Sequence, residues 1–170
     1  MNDTINRKVL PLWIVADTSG SMGEDAKLYI LRNLINYIRE RLYIPDNGLS
    51  FNKIYVVTWN REVELLKIDP NHDIPEFEVK GKADIGKLKK YFDQIAQKNK
   101  EKSKILILSD WKLDNKNNSH FIDWAKNQKN NFSIRVVPIE TGLSMKSINS
   151  MSSRNYFHPQ NIIRVLSSWE

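Results

Sequence analysis

Residues 9–22 read VLPLWIVADTSGSM, an almost wholly apolar run that gives way at Asp17 to a carboxylate, three hydroxyls and a glycine. An uninterrupted apolar run of this length is the pattern of a central strand covered on both faces. The polar turn that follows therefore stands at a carboxyl end, outside which ligands gather in open α/β sheets.

Working outward, Leu28, Leu31, Leu34, Ile35, Ile38 and Leu42 recur at helical spacing, and the helix stops before Pro45 and the Asp46-Asn47-Gly48 turn. Residues 53–59 and 62–68 read as strands separated only by Asn60-Arg61, so the pair must be antiparallel. A polar, proline-punctuated stretch, 69–81, leads to a second helix carrying Ile85, Leu88, Phe92, Ile95 and Ala96 on one face. Ile105-Leu106-Ile107-Leu108 is another buried strand, and it ends in Ser109-Asp110. A third helix is expected from about Ser119, with Phe121, Ile122, Trp124 and Ala125 as its stripe. A strand over 134–139, a short helix over 145–151, a strand at Tyr156-Phe157 and a helix over 159–169 complete the alternation. Such alternation predicts a mostly parallel α/β sheet. With no repeat and no linker, residues 1–170 form a single domain.

The bulk numbers agree. The 170 residues are 41% hydrophobic and 27% charged, in the range of a globular domain. The absence of cysteine excludes disulfides, zinc–thiolate sites and thiol nucleophiles. The apolar N-terminal run lacks a small-residue cleavage site, and no run is long enough to span a bilayer, so the expected location is cytoplasmic. The net charge of +6 is concentrated partly in Lys98, Lys100, Lys102 and Lys104, with Lys87, Lys89 and Lys90 shortly before. These could bind nucleic acid; with Asp93 and Glu101 interspersed and no nucleic-acid motif, a solvated helix face explains them more simply.

Asp17, Ser19 and Ser21 put one carboxylate and two hydroxyls on one loop, and a parallel sheet can bring Asp110 beside them. An all-oxygen donor set of low charge suits a hard cation: Mg²⁺, or else Mn²⁺ or Ca²⁺. Ser and Asp are also common in caps and turns. The metal reading is favoured because the motif follows a buried strand, precedes a long helix and is answered by Ser109-Asp110 at a second strand end.

Asp17-Thr18-Ser19-Gly20-Ser21-Met22 resembles the D-x-S-G-S-M signature of the metal-ion-dependent adhesion site (MIDAS) of von Willebrand factor A (vWA) domains, and Ile107-Leu108-Ser109-Asp110 looks like the family's later strand ending in aspartate. The resemblance spans essentially the whole chain. It implies a Rossmann-like, six-stranded, mostly parallel sheet with one antiparallel edge strand and helices on both faces. It also implies serine hydroxyls on the metal, aspartates bound directly or through water, and a partner carboxylate completing the shell. Where the family usually has Gly-Gly-Thr, this chain has Gly81-Lys82-Ala83-Asp84, so Ala83 falls on a ligand position without an oxygen. Asp84 either replaces it as a ligand or caps the next helix. Trp111 stands where glycine is commoner, either as a partner anchor or as core. Among vWA proteins the chain looks most like the bacterial TerY-like group, associated with tellurite resistance and related stress or phage-defence systems.

The function this implies is non-enzymatic: a metal-dependent module that captures a protein partner's Asp or Glu, with Met22, Lys82, Trp111 and Lys112 on the rim. The alternatives are nucleic-acid binding through the lysines and, with less behind it, metal-dependent hydrolysis or phosphotransfer. Haloacid-dehalogenase enzymes need a second acid two residues after the strand-end aspartate, where this chain has Ser19. His72, His120 and His158 lie away from the motif, and there is no Walker-type loop.

Overall fold

The computed structural model describes residues 11–44, 49, 51, 53–69, 71–139 and 161–169. The described strands form a five-stranded sheet in the order β3-β2-β1-β4-β5. These are β1 (Leu12–Asp17), β2 (Ile54–Trp59), β3 (Val63–Leu66), β4 (Ser103–Ser109) and β5 (Phe132–Pro138). β1 pairs in parallel with β2 and β4, β4 in parallel with β5, and only the β2–β3 hairpin is antiparallel. The helices are α1 (Lys27–Arg41), α2 (Ile85–Lys98), α3 (Asn115–Asn127) and α4 (Ile162–Ser167).

Successive side chains of a strand point to opposite faces, and β1 shows why its whole run is apolar. Leu12, Ile14 and Ala16 pack with Leu31, Ile35 and Ile38 of α1 and with Val165 and Leu166 of α4. Trp13 and Val15 pack on the other face with Leu88 and Phe92 of α2 and with Phe121 and Trp124 of α3. Helices on both faces leave the strand ends as the place where polar loops meet.

Several boundaries differ from the sequence expectation. α3 begins at Asn115, four residues early, because Asp114 caps it by accepting the Asn117 N–H at 2.8 Å; its first turn is polar and invisible to hydrophobic periodicity. β5 starts at Phe132 and ends at Pro138, where the missing N–H falls at the strand's last position. Of the expected last helix, Ile162–Ser167 is described. The expected helix over 145–151 and strand at Tyr156-Phe157 lie outside the described residues.

Lys104 is not part of a basic surface. It is 7% exposed, and its ammonium donates to the Trp169 carbonyl at 2.6 Å. Arg135, from β5, donates to the carbonyls of Val165 and Ser168 and lies over the Trp169 ring. The two cations satisfy backbone carbonyls at the end of α4, where helices leave acceptors unpaired and favour positive charge. Burial, with the Arg135 charge as a lesser cause, pulls the Lys104 pKa below its usual value.

Candidate metal centre

β1 and β4 are neighbours in parallel register, Ala16 opposite Leu108, so their carboxyl ends deliver Asp17 and Ser109-Asp110 side by side. Asp17 is 1% exposed; Oδ1 accepts the Ser19 N–H at 2.8 Å and Oδ2 accepts the Ser109 hydroxyl at 2.5 Å. The hydroxyls of Ser19 and Ser21 lie 3.4 Å apart, and Ser21 donates to Asp110 Oδ1 at 3.1 Å. Asp110 is fully buried. Burial raises the Asp17 pKa, the Ser109 and Ser19 hydrogen bonds pull it back, and the charge of Asp110 adds a smaller upward push. Two neighbouring buried carboxylates repel each other, so positive charge beside them is favoured.

The loop is held from outside. The Lys80 backbone N–H donates to the Thr18 carbonyl at 2.9 Å and the Gly20 N–H to the Gly81 carbonyl at 2.7 Å. Asn60 reaches the Thr18 hydroxyl at 3.0 Å. Gly81 has a φ of +61°, a left-handed conformation that glycine takes without strain, and a Cβ there would fall 2.3 Å from Nε of the exposed Arg61 side chain, which would have to move aside.

The donor set fits a hard divalent ion. Adjacent ligands of an octahedral Mg²⁺ with bonds of about 2.1 Å lie roughly 3 Å apart, close to the separations between the serine hydroxyls and Asp110 Oδ1. Asp17, Ser19, Ser21 and Asp110 would hold the ion. The carboxylate count is low: among the described residues no three of His, Asp and Glu gather as a metal-holding group.

The other expected site residues fall into distinct places. Asp84 caps α2, with Oδ1 accepting the Lys87 N–H at 3.0 Å, while its backbone carbonyl takes the Trp59 indole N–H at 2.9 Å. Ala83 packs against the α2-side core. Lys82 and Lys112 are exposed, and Lys112 pairs with Glu24 at 3.1 Å. Glu24 is held below its usual pKa by Lys112 first and then by Lys27. The expectation that Met22 and Trp111 stand on the rim is corrected. Met22 is 0% and Trp111 4% exposed, each committed to one of the two core clusters. Trp111 adopts a φ of 54°, rare for a bulky residue, held by its N–H on the Ser109 hydroxyl and its indole on Asn118.

Two residues to which the sequence gives no role of their own belong to this centre. Ser109 bridges Asp17 and the Trp111 backbone. Lys27 is buried, with its ammonium 3.1 Å from Asp110 Oδ2 and 3.0 Å from the Ser21 carbonyl. Its signal is positional: residue 27 lies four before Leu31 and so continues the stripe Leu31, Ile35, Ile38 toward the strand ends.

No protein-family model and no curated protein matches the chain. Solved structures do. A von Willebrand factor type A protein from Catenulispora acidiphila matches 93% of this chain at 11% identity with a TM-score of 0.65. Manganese-loaded TRAP from Plasmodium vivax matches 94% of this chain and 72% of its own at 13% identity, TM-score 0.65. Proximal thread matrix protein 1 from the mussel byssus, in a form with a zinc-occupied MIDAS motif, matches 93% at 13% identity, TM-score 0.61. The chain spans 41% of the length of the first and 44% of the last. The likeness is one of fold: this is the Rossmann-like α/β vWA fold, with a mostly parallel sheet and one antiparallel pair.

Proposed function

We propose that the chain is a non-enzymatic, divalent-metal-dependent protein-binding module, with Asp17, Ser19, Ser21 and Asp110 around the ion. The observation that carries this is the convergence of two serine hydroxyls and two buried aspartates at adjoining strand ends. The fold neighbours support it: one is described with manganese, another with a zinc-occupied MIDAS. Mg²⁺ is the favoured ion, Mn²⁺ and Ca²⁺ the alternatives. A partner's Asp or Glu would replace metal-bound water, forming a short charge-assisted contact.

With Met22 and Trp111 buried, the rim is polar: Glu24, Lys82 and Lys112. Recognition then rests more on charge than on apolar anchoring, which predicts a salt-sensitive association. Lys98, Lys100 and Lys102 are exposed, while Lys104 serves the fold, so the nucleic-acid alternative loses one of its four cations. Among the described residues no helix is long and apolar enough to cross a membrane. The stress-response, tellurite-resistance or phage-defence setting rests on the sequence resemblance alone.

The test is capture from native lysate in Mg²⁺ and in EDTA, using wild type, Asp17→Ala, the Ser19→Ala/Ser21→Ala pair and a Lys98→Glu/Lys100→Glu/Lys102→Glu triple variant. The proposal expects a partner lost in EDTA and in both site variants but retained by the triple. Essential lysines with dispensable site residues would overturn it in favour of nucleic acid or an acidic surface.

A further inference from the structure

Lys27 is 2% exposed and its ammonium touches Asp110 Oδ2 at 3.1 Å, the Ser21 carbonyl at 3.0 Å and Glu24 Oε2 at 3.4 Å. Burying an ammonium is unfavourable unless it is paired. Lys27 is also the first residue of α1, where the helix dipole disfavours a cation. The chain reaches it through Asp25 and Ala26, at φ 49° and 58°, conformations that non-glycine residues seldom take. The Asp110 carboxylate offsets these costs and divides its two oxygens: Oδ1 receives the Ser21 hydroxyl, Oδ2 the Lys27 ammonium.

We propose that Lys27 is a tethered cation that shares Asp110 with the divalent metal, holding that carboxylate when metal is absent and lowering the site's affinity for the ion. The proposal rests on the metal-binding reading above. Its consequence is electrostatic: the ion and the Lys27 ammonium would face the same carboxylate and repel each other. A partner's carboxylate on the metal would ease that repulsion. Metal and partner should therefore strengthen each other's binding, since such coupling is reciprocal.

The experiment is calorimetric titration of MgCl₂ into chelator-stripped wild type, Lys27→Met, Lys27→Gln and Lys27→Arg, with melting curves of each metal-free protein. Removing a fixed charge that shares a carboxylate with the metal should tighten Mg²⁺ binding by about tenfold or more in Lys27→Met. Lys27→Gln should move in the same direction, and it serves as the neutral variant if the methionine form fails to fold. Lys27→Arg should bind much as wild type does. Metal-free Lys27→Met should melt below metal-free wild type, and Mg²⁺ should restore most of that loss. Unchanged or weaker Mg²⁺ binding in both neutral variants would overturn the proposal, making Lys27 a support of the site and not a competitor. If wild type and all variants fail to bind Mg²⁺, the metal-binding reading falls as well. Binding by the neutral variants alone would support Lys27 as the competitor and overturn Mg²⁺ as the ion that wild type takes.

Discussion

The hydroxyl of Ser109 sits between two buried groups, donating to Asp17 Oδ2 and accepting from the Trp111 N–H. Ser109→Ala leaves both short of a partner, so it should lower unfolding stability by about 1–3 kcal/mol in urea titrations. It should also weaken Mg²⁺ binding, because Asp17 and the Trp111 turn lose their common tie. Asp84 gives the contrasting case. Its carboxylate caps α2, so Asp84→Ala should cost roughly 1 kcal/mol and leave Mg²⁺ affinity as it was; a severalfold loss in calorimetry would instead make Asp84 a ligand. Asp17, Ser19, Ser21 and Asp110 are legible in the sequence because oxygen-bearing residues follow two apolar strands. Lys27 is harder to read, since a lysine at a helix start ordinarily points to solvent. Met22 and Trp111 mislead for a related reason: loop position says nothing about burial when the loop folds back over the core.

At the scale of elements, apolar runs and stripes mark β1, β4, α1 and α2 closely, since burial on one or both faces is what their residues encode. Polar anchoring is not visible in the same way. Arg32 donates to the Ile74 carbonyl at 2.6 Å, Asn36 accepts the Ile74 N–H at 2.9 Å and Arg39 pairs with Asp73. Three polar residues of α1 thus dock the stretch after β3, which composition alone marks as an open loop. Lys104 shows the same limit: in sequence it closes a basic cluster, in space it holds α4. Lys104→Met should therefore lower the melting temperature, having removed the donor to the Trp169 carbonyl. Lys102→Met, at an exposed position, should leave it within experimental error. Gly81→Ala belongs here too. Its positive φ makes any side chain strained by about 1–2 kcal/mol, and its carbonyl holds Gly20. That variant should be less stable and bind Mg²⁺ more weakly.

For the molecule as a whole, covering both faces of the sheet confines polar chemistry to the strand ends, and the parallel pairing of β1 with β4 brings two aspartates to one place. The fold class follows from that logic, and so does the location of the centre. What the centre does depends on its charge: among the described residues two buried carboxylates meet the buried Lys27 ammonium, a pairing that only the packed structure displays. A cation that binds the native state alone must stabilise it by mass action, by about 2.7 kcal/mol at a hundred times its Kd. The most direct measurement is calorimetric melting of chelator-stripped wild type and Asp17→Ala across a MgCl₂ and a MnCl₂ series. The account predicts a wild-type Tm that climbs steadily with the logarithm of metal concentration and a folded Asp17→Ala protein whose Tm does not move. A wild-type Tm that stays flat in both metals, or one that Asp17→Ala follows step for step, would contradict a metal centre at these residues.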